Sequence, residues 1–117
     1  MTTKRKQRVA PPAGPDHWEV RCGSNDAGKG WDELCQQAPG NTRRAWEQMS
    51  ADPAPAVETP RQHRLRGSLG SGAFEGRMLP RWQIEVTGGG RIWYLVDAQQ
   101  RTVWIVVAGN AHPKATE

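Results

Sequence analysis

The residues of this 117-residue chain best equipped for chemistry are arginines and one late histidine. Arg61, Arg64, Arg66, Arg77, Arg81 and Arg91 stand against only Glu75 and Glu85 in the same stretch. A planar guanidinium makes forked contacts with phosphate and stacks on bases, so such a belt fits a polyanionic partner. A solvated sheet face has the same composition. Near the C-terminus, His112 carries an imidazole whose ordinary pKa lies close to neutrality, with Lys114 as a neighbouring charge. His63 is read as a satisfied strand residue. Cys22 and Cys35 have no second Cys or His at zinc-ligand spacing and are too few for a secreted disulfide framework, so they are read as reduced, partly buried thiols.

Charge is distributed in blocks. Lys4, Arg5, Lys6 and Arg8 precede any acid, and residues 16–60 hold eight acids against four bases before the arginine belt begins. The formal net charge is +4. With 36% hydrophobic residues and six Trp, the chain can build one modest core and no second catalytic domain. The longest apolar run, Val103 to Ala108, is far short of the roughly 20 residues of a membrane span, and the polar N-terminal stretch has no signal-peptide apolar region. The expectation is a cytoplasmic protein without membrane or metal partners and without a cofactor.

These side chains must be positioned by an α+β scaffold. Residues 1–15, basic and then rich in Pro and Gly, are expected to be a disordered arm, and 16–117 a single domain. Trp18, Val20 and Cys22 alternate with polar residues, the period of a short strand, and the Gly23 to Asp26 cluster offers a helix cap. Ala27, Trp31, Leu34, Cys35 and Ala38 fall on one helical face, although Gly28 and Gly30 weaken its first turn. Pro39 and Gly40 are expected to stop that helix. Asn41 or Thr42 can cap a second helix, burying Ala45, Trp46 and Met49, which makes an αα-hairpin. A strand around His63 and Leu65 follows, then a loop with Gly70, Gly72, Gly76 and Pro80. Trp82, Ile84 and Val86 alternate as a strand, the glycines 88 to 90 supply positive φ for a hairpin turn, Arg91 to Val96 return, and Thr102 to Ala108 form a central strand. The order is β-α-α-β-β-β-β. Most of the Trp residues, and Tyr94, are assigned to the core.

The sequence Leu65-Arg66-Gly67, then Trp82-Gln83-Ile84-Glu85-Val86, then Arg91-Ile92-Trp93-Tyr94, then Val106-Val107-Ala108-Gly109, resembles the RelE/ParE superfamily of bacterial toxins over residues 18 to 114. The ending His112-Pro113-Lys114 is similar to relatives common in actinobacteria. The resemblance implies a RelE-like microbial RNase fold, with an N-terminal strand and αα-hairpin packed on a twisted antiparallel sheet. It implies a type II toxin that cleaves mRNA on the ribosome, neutralised by a cognate antitoxin, often of helix-turn-helix type. In that family Arg91 would stabilise phosphoryl charge and His112, assisted by Lys114, would serve as acid or base; Arg64, Arg66 and Arg81 of the belt are read as RNA contacts or, equally, as a solvated edge. The family's lysines on the preceding strand fall on Trp82 and Ile84, and its C-terminal Tyr has no counterpart. Two alternatives remain open: a ParE-like chain that poisons DNA gyrase without catalysis, and a non-toxic relative that binds nucleic acid or a protein partner.

Overall fold

A computed structural model describes residues 3–9 and 12–110. Among them the chain forms β1 (Glu19–Cys22), α1 (Asn25–Gln37), α2 (Pro39–Ala51), β2 (Gln62–Arg64), a 3₁₀ turn (Gly67–Gly70), β3 (Ser71–Phe74), β4 (Arg77–Glu85), β5 (Arg91–Asp97) and β6 (Thr102–Gly109). The α+β class and the helical pair follow the sequence pattern. The strands form one six-stranded sheet in the order β1-β6-β5-β4-β2, with β3 paired to β4. The sheet is mixed rather than wholly antiparallel, because β1 runs parallel to β6 with Val20 opposite Val103.

Ser24 caps α1 through its hydroxyl, which accepts from the Ala27 amide at 3.0 Å. The two helices meet at a single residue, Ala38, and Pro39 opens α2 instead of ending α1. A proline tolerates the first helical position because the amide it lacks would have no partner there. Thr42 does not cap the helix either: it is buried, and its hydroxyl donates to the Leu34 carbonyl at 3.0 Å. Gly30 explains itself by contact. A Cβ there would lie 2.1 Å from the Ala108 carbonyl oxygen, so glycine lets α1 sit directly on β6.

The loop expected around Gly72 and Pro80 is a hairpin, β3 and β4. Its two-residue turn places Glu75 and Gly76 at φ of 50° and 80°, the positive angles of a type I′ turn. Pro80 is accommodated because the β4–β5 register begins only at Arg81, opposite Leu95. The glycines 88 to 90, in contrast, use no positive φ. There the Gly90 amide bonds the Thr87 hydroxyl, and a side chain at 90 would strike Thr87 and Asn110.

Alternation divides the sheet into two faces. Trp82, Ile84, Val86, Ile92, Tyr94, Val96, Val103 and Ile105 pack with Trp31, Leu34, Ala45 and Met49 of the helices. Phe74, Leu79, Leu95 and Trp104 make a smaller cluster on the other face, with Phe74 and Trp104 stacked at 4.6 Å. Tyr94 is fully buried, as assigned. Its hydroxyl donates to the Pro53 carbonyl at 2.7 Å and accepts from Gln62 at 2.9 Å, tying the α2–β2 crossing to the sheet.

Residues 3–9, part of the stretch expected to be a disordered arm, run along the outer edge of β1. The Val9 amide donates to Val20 and the Cys22 amide to Gln7, at 3.1 and 3.2 Å. Arg8 forms two contacts of 2.8 Å with Glu19, and Lys6 pairs with Glu75. Gly28 leaves room for this segment, since a Cβ there would meet the Thr3 carbonyl oxygen at 1.8 Å.

Candidate functional site

The face of the sheet turned away from the helices brings some of the sequence candidates together. Register places Gln83 of β4 between His63 of β2 and Trp93 of β5, and places Glu85 opposite Arg91. Arg81 lies two residues before Gln83 on the same face, because side chains of a strand repeat every second position. The side-chain carbonyl oxygen of Gln83 accepts from Trp93 Nε1 at 2.8 Å and from Arg91 Nη1 at 3.5 Å. The Arg81 guanidinium lies over the Trp93 ring, 5.8 Å from its centroid, and donates to the Leu69 carbonyl at 3.3 Å. Two half-buried guanidiniums therefore flank one glutamine–tryptophan pair.

Both arginines hold a buried Nε with no hydrogen-bond partner among the described residues. A buried donor without an acceptor costs free energy, about 1 to 3 kcal/mol when left unmade, and that cost falls when an anionic oxygen arrives. Neighbouring cations on this side of the sheet are already committed. Arg77 is bound to the buried Asp97 carboxylate, and Arg5 and Lys6 to Glu75. Among the described residues Arg81 and Arg91 are the pair in this row without a carboxylate partner.

The remaining RNA-contact candidates separate. Arg64 pairs in register with Trp82, and its Nε and Nη2 donate to the Gly70 carbonyl at 2.8 Å and the Ser71 hydroxyl at 3.1 Å. It clamps the 3₁₀ turn. Arg66 is exposed at the start of that turn. Trp82 and Ile84, onto which the resemblance maps two lysines, are buried against the helices. Side-chain direction inverts with each residue of a strand, so the positions on the face away from the helices are Arg81, which is half-buried, and Gln83, which is buried.

His112 and Lys114 lie outside the described residues. Gly109, the last residue of β6, is opposite Arg91 in the β5–β6 register. His63, read as a strand residue without a chemical role, is half-buried in the same row as Gln83 and Trp93, with its Nδ1 3.1 Å from the Arg64 carbonyl. Its position relative to Gln83 was hidden because strand register cannot be read from one strand alone. A bulge between Trp93 and Tyr94, where Tyr94 pairs with Ile105 and Trp93 with Val107, bends β6 next to this row.

The thiols take no part. Burial pushes the Cys22 thiol up to about 12, and burial also raises Cys35, although Cys35 is exposed by area rather than on the apolar face expected for it. Burial likewise raises the Tyr94 hydroxyl, and its two hydrogen bonds keep it structural. Among the described residues no group of three or more His, Cys, Asp or Glu is placed to hold a metal, and no helix is long and apolar enough to cross a membrane. Comparison with known proteins finds no matching family model, no matching curated protein and no matching solved structure.

Proposed function

We propose that this chain is an RNA-cleaving toxin of the RelE-like kind, acting on mRNA at the ribosome and held inactive by a cognate antitoxin. The observation that carries the reading is the pair of guanidiniums, Arg81 and Arg91, each with a buried Nε that has no partner among the described residues, on the side of the sheet away from the helices. Two such groups suit the oxygens of one phosphodiester, and planar recognition of phosphate is what arginine does better than lysine.

In this chemistry a ribose 2′-oxygen attacks the adjacent phosphorus and the bond to the 5′-oxygen breaks. A base accepts the 2′-hydroxyl proton and an acid protonates the departing 5′-oxygen, which leaves a 2′,3′-cyclic phosphate and a 5′-hydroxyl. Arg91 stabilises the charge that develops on the phosphoryl oxygens. His63, on the same face, and His112, which follows the strand that ends beside Arg91, are the two imidazoles available for proton transfer. Lys114 adds charge to the same end.

Induced expression tests this directly. Wild type is expected to stop translation, with mRNA fragments ending in 2′,3′-cyclic phosphate, and Arg91→Ala is expected to relieve arrest while melting like wild type. Arrest with intact mRNA and a DNA-damage response would instead assign the chain to gyrase poisoning. Growth without arrest would leave a nucleic-acid or protein-binding module.

A further inference from the structure

A cleft of about 420 Å³ opens between α2 and the chain entering β2. Its apolar lining is the edge of the core at Ala45, Ile84 and Val86 together with the exposed Val57, and it also carries Arg44 from α2 and Arg61 from the start of the strand. Glu85 stands at the rim, where its carboxylate contacts Arg61 Nε at 3.3 Å. That pair is solvent-exposed on the arginine side, with 70% of the Arg61 side chain accessible, so it holds Arg61 weakly. Arg44 is exposed and its nearest partner is the neutral side chain of Asn41.

The cleft lies on the helix side of the sheet, where Ile84 and Val86 point, and reaches the sheet edge at Arg61 and Glu85. Glu85 is the register partner of Arg91 and also the contact of Arg61, so one residue joins the end of the Arg81–Arg91 row to the mouth of the cleft. From these placements we infer that the cleft takes one nucleotide of an RNA strand that rounds this edge of the sheet, with its base against the exposed Val57 and its phosphate between Arg44 and Arg61. This rests on the RNA reading given above. The volume lies within the range of small-molecule sites, and an apolar lining beside charged groups is how such sites hold a flat ring with a charged substituent. Among the residues lining the cleft one carboxylate, Glu85, stands against Arg44 and Arg61, so the lining is net positive and the approach of a phosphate is favoured.

Two measurements on the full chain test this. In a heteronuclear NMR titration of wild type with adenosine 5′-monophosphate, the amides of Arg44, Thr59, Arg61 and Val86 are expected to shift. Shifts confined to Gln83 and Trp93, or none at all, overturn the assignment. In fluorescence anisotropy with a labelled single-stranded RNA, the double variant Arg44→Ala/Arg61→Ala is expected to bind roughly tenfold more weakly, with a salt slope reduced by about 0.7 for each phosphate that is no longer neutralised. An unchanged slope in a variant that melts like wild type also overturns it. A wild-type chain that fails to bind the oligonucleotide sinks the RNA reading instead, and the mononucleotide titration then decides the cleft alone.

Discussion

Arg77 and Asp97 form a forked ion pair on the sheet face turned away from the helices, with contacts of 3.0 and 2.5 Å. Asp97 is wholly buried, and its carboxylate also accepts from Trp104 Nε1 at 3.2 Å and from the Gln100 amide at 3.3 Å. One arginine of the belt is thus engaged within the protein, where it ties the tip of the β3–β4 hairpin to the β5–β6 turn. The belt consists of structural and available guanidiniums, and only partners distinguish them.

Removing the charge of Asp97 tests this division. Asp97→Asn leaves Arg77 without its counter-ion and is expected to cost about 2 to 3 kcal/mol, the low side for a buried pair because Arg77 is partly exposed. Chemical denaturation of the variant beside wild type gives the difference. A loss below about 0.5 kcal/mol would mean that the pair is incidental.

The same pair sets an acid response. Hydrogen bonding from Arg77 holds the Asp97 carboxyl below its ordinary value, and burial only partly offsets this. A depressed folded-state value means stability that is present above the unfolded pKa, about 3.9, and is lost as pH falls through the folded value. The melting temperature of wild type is expected to drop on acidification below about pH 4, more steeply than that of Asp97→Asn. Glu19 and Glu75, held low by Arg8 and Lys6, leave some slope in both. Parallel curves for the two proteins would remove Asp97 from the account.

Arg64 and Arg91 should fail in opposite ways. Arg64→Gln loses the clamp on the Gly70 carbonyl and is expected to lower stability by about 1 kcal/mol while RNA affinity changes little. Arg91→Gln is expected to keep the fold and weaken RNA binding, with a shallower salt dependence. Thermal melts and anisotropy on both proteins separate the roles, and an equal drop in affinity for the two would sink the distinction.

Two glycines of α1 make a further contrast. Gly30→Ala drives a methyl into the backbone of β6, which cannot retreat, and is expected to cost about 2 to 3 kcal/mol. Gly28→Ala meets only the segment around Thr3, which can detach. It is expected to leave the melting temperature within a few degrees yet expose Lys4, Arg5 and Lys6 to trypsin. Equal destabilisation by both would show that the segment belongs to the cooperative core.

Much of the scaffold was legible because its period is strong. Val20 and Cys22, and Trp82, Ile84 and Val86, are buried as their alternation requires, Thr102 to Ile105 are buried as a nearly unbroken apolar run requires, and Trp31 and Leu34 face the sheet as helical spacing requires. The β3–β4 hairpin was not legible, since glycines and a proline that usually interrupt a strand here serve a tight turn, a close approach to Arg81 and a position without a β5 partner. Nor was the packing of residues 3–9, because a short polar segment gains its order from one edge of β1 and carries no period of its own. In the candidate site, Arg81 and Arg91 were named from composition and resemblance. The imidazole beside Gln83, the clamp role of Arg64 and the inward aim of Trp82 all depend on register, which only paired strands define.

The parallel pairing of Val20 with Val103 has a kinetic consequence. The first strand finds its permanent neighbour 83 residues later, so the loop that must close encloses most of the molecule. During synthesis β1 and the helical pair emerge with their apolar sides uncovered and must wait for the last strand before the sheet can close. Folding is expected to be slow for a domain of this size, and the waiting nascent chain is the species most exposed to chaperones and proteases.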